Sequence, residues 1–132
     1  MASQGHEEQQ KHAPPHRRVL VVEDEDDIRD TLADVLTAEG YVVETAQNGL
    51  EALALVKSME PDLVLVDLMM PVMNGWDFHR RIRQNPSTAG LRVVAVSAIQ
   101  DDNSAERFDG YLRKPFDISA LLATVQGFCR AA

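Results

Sequence analysis

Leu63-Val64-Leu65-Val66-Asp67-Leu68-Met69-Met70-Pro71-Val72-Met73-Asn74-Gly75 decides how this chain is read. Four apolar residues in succession, Leu63 to Val66, fit a strand buried on both faces, as inside a parallel sheet. The run stops at a carboxylate, Asp67, and a loop with Pro71 and Gly75 follows. Phe78 and Ile82 then carry helical spacing. The unit is a strand with a polar end, a loop and a helix.

The unit recurs in both directions. Upstream, Val19-Leu20-Val21-Val22 is a second wholly apolar run, ending in Glu23-Asp24. Ile28, Leu32, Val35 and Leu36 then make a helical stripe closed by Gly40. Tyr41 to Ala46 reads as the second strand, Asn48-Gly49 as a turn, and Ala52, Leu53 and Val56 as the inner face of a second helix. Downstream, Val93 to Val96 is a fourth strand ending at Ser97, and Tyr111-Leu112 a fifth, just before Lys114. Ile118, Leu121, Leu122, Val125 and Cys129 form the stripe of the last helix. Five strands alternating with five helical segments predict an α/β fold with a parallel sheet and helices on both faces. The expected strand order is 2-1-3-4-5, with the site beyond the carboxyl ends of the strands where the order reverses.

Composition narrows the function. The chain has 132 residues, room for one ordinary domain, and 45% are apolar, enough for a core. Its net charge of -8 argues against gripping nucleic acid or an anionic membrane surface. The single cysteine, Cys129, allows no internal disulfide and fits a cytoplasmic setting. No apolar run approaches the roughly 18 residues of a membrane span, and no signal-peptide pattern opens the chain. Residues 1–17 read as a disordered polar tail, whose His6, His12 and His16 lack any fixed geometry for a metal. Residues 18–132 form the expected domain.

The polar residues at the strand ends carry the chemistry. Glu23, Asp24, Asp67, Ser97 and Lys114 should converge on one crevice. Two unit charges about 4 Å apart repel by roughly 4 kcal/mol at an effective dielectric of about 20, so three carboxylates need offsetting charge. Lys114 supplies one positive charge, and Mg²⁺, which prefers carboxylate and carbonyl oxygens, suits the rest. A carboxylate beside Mg²⁺, a lysine and a hydroxyl has the parts to form an aspartyl-phosphate. Asp67 is the candidate nucleophile because its strand is central. Taken singly, each residue has a plainer reading: Glu23-Asp24 as charge at a helix start, Asp67 as a cap, Lys114 as a solvent-facing side chain, Tyr111 as an edge-strand aromatic. Trp76, Met69, Met70 and Met73 are assigned to packing, and His79 to an exposed helix position without a phosphorylation role.

Four segments together resemble the signature of response-regulator receiver domains: Val19 to Glu25, Leu63 to Gly75, Val94 to Ala98, and Tyr111 to Phe116. The resemblance implies a flavodoxin-like (βα)5 fold. It implies phosphorylation of Asp67 by a histidine kinase or histidine phosphotransfer protein, with Mg²⁺ held by Asp24, Asp67, the carbonyl of Met69, and Glu23 directly or through water. Lys114 would bridge to the phosphoryl group and Ser97 would move toward it. Tyr111 would swing inward, and Lys114-Pro115 would be cis. Met69 and Ile99 would flank the path of hydrolytic water. A phosphohydrolase with an Asp nucleophile would need a second Asp where Met69 stands. A receiver that works without phosphorylation would not need Asp67, Ser97 and Lys114 together.

The expectation is therefore a stand-alone switch and not an enzyme, signalling through noncovalent protein partners. Ser97 and Lys114 lie several positions closer together than is usual in the family. A shortened fourth helix is expected across Gln100 to Asp109, and with it a monomer.

Overall fold

The computed structural model describes residues 17–99 and 108–129. In chain order the elements are β1 (Arg18–Val22), α1 (Asp26–Ala38), β2 (Val42–Ala46), α2 (Gly49–Met59), β3 (Leu63–Asp67), α3 (Gly75–Gln84), β4 (Arg92–Ser97), β5 (Gly110–Arg113) and α4 (Ile118–Cys129). All five strands pair in parallel in the order β2-β1-β3-β4-β5. This is the expected flavodoxin-like order. Four helices are seen among the described residues. The fifth, expected between β4 and β5, falls almost wholly on residues 100–107, outside those described, as do the tail through residue 16 and the chain's last three residues.

Two core layers explain the unbroken apolar strands. Val19, Val21, Leu63, Leu65, Val94 and Val96 face Leu32 and Leu36 of α1 and Leu121, Val125 and Cys129 of α4. The alternate residues Leu20, Val22, Val64, Val66 and Val93 face Ala52 and Val56 of α2 and Phe78 and Ile82 of α3. A strand with a helix layer on each side has no face left for polar side chains. The polar residues are displaced to the strand ends, where the layers stop.

Local chemistry starts the helices where the sheet requires. Asn48 caps α2, its Oδ1 accepting from Glu51 N at 2.9 Å, and Asn74 caps α3 the same way from Asp77 N at 2.8 Å. Asp117 caps α4, accepting from Ala120 N at 2.8 Å. Gly75 is required by a close approach: a Cβ there would lie 2.6 Å from the carbonyl oxygen of Asp67. The start of α3 is thereby packed directly beneath the end of β3.

Several expectations need correction. Tyr41 precedes β2 and is buried in the layer under α1 and α4. Ile118 opens α4 but is 55% exposed, because the first turn of the helix overhangs the sheet and the buried stripe begins at Leu121. Met69 is 58% exposed, since it lies past the strand end with no layer above it, whereas Met70 and Met73 do pack on the α2–α3 layer. His79 is buried, only 3% exposed. It shares the buried stripe of α3 with Gly75, Phe78 and Ile82, and its ring packs on Phe108 with centroids 4.3 Å apart.

Candidate functional site

β1 delivers Glu23 to the site, and the Glu23 amide is tied to the carbonyl of Ala46 at 3.0 Å. The Glu23 carboxylate is buried, 1% exposed. It accepts from Lys114 Nζ at 2.9 Å through Oε1 and from the Glu25 amide at 3.2 Å through Oε2. β3 delivers Asp67, which accepts from Lys114 Nζ at 3.3 Å and, through Oδ1, from the Met69 amide at 3.2 Å. Lys114 follows β5, and its amide donates to the carbonyl of Ser97 at 2.9 Å. The buried Ser97 hydroxyl accepts from the Ile99 amide at 3.1 Å. Glu23, Asp24 and Asp67 each offer a carboxylate oxygen, and these oxygens lie within 4.8 Å of one another.

The expected residues Asp24, Asp67, Met69, Ser97, Ile99 and Lys114 thus wall one open pocket of about 240 Å³, with the Glu23 carboxylate buried beneath it. A larger, mostly apolar hollow of about 450 Å³ adjoins it between α1 and the segment after β5, sharing Ala98 and Lys114. It lacks the acidic cluster, so the chemistry resides in the smaller pocket. Tyr111 stands on β5, outside the pocket and 44% exposed. The Lys114-Pro115 peptide is cis.

Electrostatics separate the groups. Burial drives the Glu23 carboxyl up to about 7, reinforced by the negative charge of Asp67 and only partly offset by the hydrogen bond from Lys114. Burial works against the charge on Lys114, but its bond to Glu23 and the charge of Asp67 outweigh it, holding the ammonium above its usual range. Three carboxylates against one ammonium leave the cluster short of positive charge. An all-oxygen donor set with excess negative charge fits Mg²⁺ by the chemistry of its ligands.

Arg29 was missed by the sequence reading. From α1 its guanidinium donates to the carbonyls of Glu23 at 2.9 Å and Asp24 at 3.4 Å, while pairing with Asp26 at 2.5 Å. It clamps the backbone that presents both acids. The available signal was its isolation: Arg29 is the sole base between Glu23 and Asp34.

A family model described as the response regulator receiver domain matches residues 19–126. The chain belongs to that family. The receiver is 34% identical over 118 residues to the DNA-binding dual master transcriptional regulator RpaA of Synechocystis, covering 86% of this chain and 49% of that protein. It is 38% identical over 118 residues to an uncharacterized 14.6 kDa protein of Leptolyngbya boryana, covering 86% of this chain and 90% of that one. A response regulator from Thermotoga maritima, solved in complex with Mg²⁺ and beryllofluoride, superposes with a TM-score of 0.76 at 34% identity, covering 85% of this chain and 98% of that one. The receiver spans about half the length of several curated relatives it matches. It is a receiver domain of two-component response regulators, and no helix among its described residues is long and apolar enough to cross a membrane.

Proposed function

We propose that this receiver is a phosphorylation-activated switch whose phosphoacceptor is Asp67. One observation carries the reading: Asp67 lies 3.3 Å from Lys114 Nζ and shares a cluster of carboxylate oxygens within 4.8 Å with Glu23 and Asp24. The donor is a phosphohistidine of a histidine kinase or phosphotransfer protein. A carboxylate oxygen of Asp67 attacks phosphorus, the P–N bond breaks, and its electron pair returns to the imidazole nitrogen. Lys114 neutralises charge on the moving phosphoryl oxygens. Asp24, Asp67 and the Met69 carbonyl are the proposed holders of Mg²⁺, with Glu23 contributing directly or through water. Bound there, the cation supplies positive charge to the phosphoryl group. Ser97 then bonds a phosphoryl oxygen, giving up its bond from Ile99, and Tyr111 moves inward. The output is noncovalent binding of a protein partner.

Incubation with Mg²⁺ and phosphoramidate, followed by intact mass, tests the assignment. The wild type should gain one phosphoryl group, and Asp67→Asn, isosteric but a far poorer nucleophile, should gain none while staying folded. Labelling of Asp67→Asn at another residue refutes the assignment.

A further inference from the structure

Three aromatic rings link α3 to the switch strand. The buried His79 ring packs on Phe108 at 4.3 Å between centroids and a tilt of 35°. Phe108 in turn meets Tyr111 edge-on, at 5.7 Å and 79°. Phe108 also rests on the core layer beneath α2 and α3. Tyr111 lies outward, 44% exposed, and among the described residues Phe108 is the aromatic ring that it meets. Moving Tyr111 inward forfeits that edge contact.

We propose that His79 and Phe108 form a latch that holds Tyr111 outward and so sets how readily the receiver switches. The inference rests on the switch reading above and deepens it. His79 supplies the fixed end, because α3 anchors it beside the core residues Phe78 and Ile82. Phe108 transmits that position to β5. Both are positioning residues, since neither touches the phosphoryl site. An edge-to-face pair favours the geometry that keeps it. Weakening the pair shifts the resting population toward the inward state, which binds a phosphoryl mimic more tightly.

The test uses the full chain labelled with 3-fluorotyrosine, which places fluorine only at Tyr41 and Tyr111. Tyr111→Phe assigns the signals, and Tyr41, buried, serves as the internal reference. The readout is the change in fluorine shift between H₂O and D₂O, which follows solvent exposure of the ring rather than its neighbours' ring currents. Phe108→Leu and His79→Leu keep apolar bulk and so preserve the fold. Both should lower the isotope effect at Tyr111 before any ligand is added, and tighten binding of beryllofluoride with Mg²⁺ by roughly two- to tenfold. His79→Phe, which restores an aromatic face, should behave like the wild type. An unchanged isotope effect in both leucine variants, with unchanged affinity, overturns the latch. If beryllofluoride fails to move Tyr111 even in the wild type, the switch reading fails. The latch is then still decided by the ligand-free isotope effect in the two variants.

Discussion

At Glu23, burial and charge pull in opposite directions, and burial wins. Its carboxyl is raised from 4.5 to about 7 in the folded protein, so the folded state holds a proton there that the unfolded chain has already lost. The stability this contributes is complete below about pH 4.5 and disappears as pH rises through about 7. Lys114, also raised, titrates far above that window and leaves the sign unchanged. Metal-free protein should therefore lose thermal stability between pH 5 and 7.5, and Glu23→Gln should flatten that slope; an equally steep slope in the variant would exclude Glu23 as its source. Mg²⁺ must displace the same proton, so its affinity should rise over this range. Asp24→Asn should weaken Mg²⁺ binding more than Glu23→Gln, as read by titration of Trp76 fluorescence, because the Glu23 carboxylate is already engaged by Lys114 at 2.9 Å. Equal losses would contradict that division.

Met69 and Ile99 line the same pocket as Asp67, and neither can orient an attacking water. The aspartyl-phosphate should accordingly be long-lived. Met69→Asn adds a group able to hydrogen-bond water and should speed its decay by about fivefold, the worth of one ordinary hydrogen bond. Following phosphorylated protein by intact mass over time decides this. A wild type that decays as fast as the variant would show that the apolar pair does not limit hydrolysis.

Among the elements, the junction of β3 and α3 does most to shape the site. Gly75 N donates to the Leu68 carbonyl at 3.0 Å, and a Cβ at residue 75 would meet the backbone of both Asp67 and Leu68 at under 3.0 Å. Backbone cannot step aside as a flexible side chain can. Gly75→Ala should destabilise the fold by about 2 kcal/mol, the scale of overpacking, and slow phosphorylation by displacing Asp67. Gly90→Ala is the control, since nothing lies within 4 Å of a Cβ there. Denaturant unfolding of the two variants compares them directly, and equal stability would remove the steric account of Gly75.

For the whole molecule, the prediction concerns assembly. The short fourth helix expected from the sequence between β4 and β5 would leave less surface for pairing, and the net charge of -8 opposes self-association. Phosphorylated protein should sediment as a monomer, and a phosphorylation-driven dimer would refute this. The fold was legible because a parallel sheet covered on both sides imposes its own pattern: unbroken apolar runs such as Leu63 to Val66, each ended by a polar residue. The site was legible for the same reason, since Glu23, Asp67, Ser97 and Lys114 all follow apolar strands and so share one edge of the sheet. His79, Arg29 and Ile118 were not. His79 stands at i+4 from Gly75 and i−3 from Ile82 on the buried stripe of α3, but a histidine there carries no apolar signal, and the ring it packs on, Phe108, is distant in sequence. Arg29 works on backbone carbonyls, which leave no mark in residue type. By itself, then, the sequence determined the strands, the inward helix stripes and which polar groups stand at strand ends, because these follow from local periodicity, while the strand order came with the resemblance to receiver domains. Only the tertiary structure decided the raised Glu23 carboxyl, the outward Tyr111 and the burial of His79, because each depends on distances between side chains from different elements.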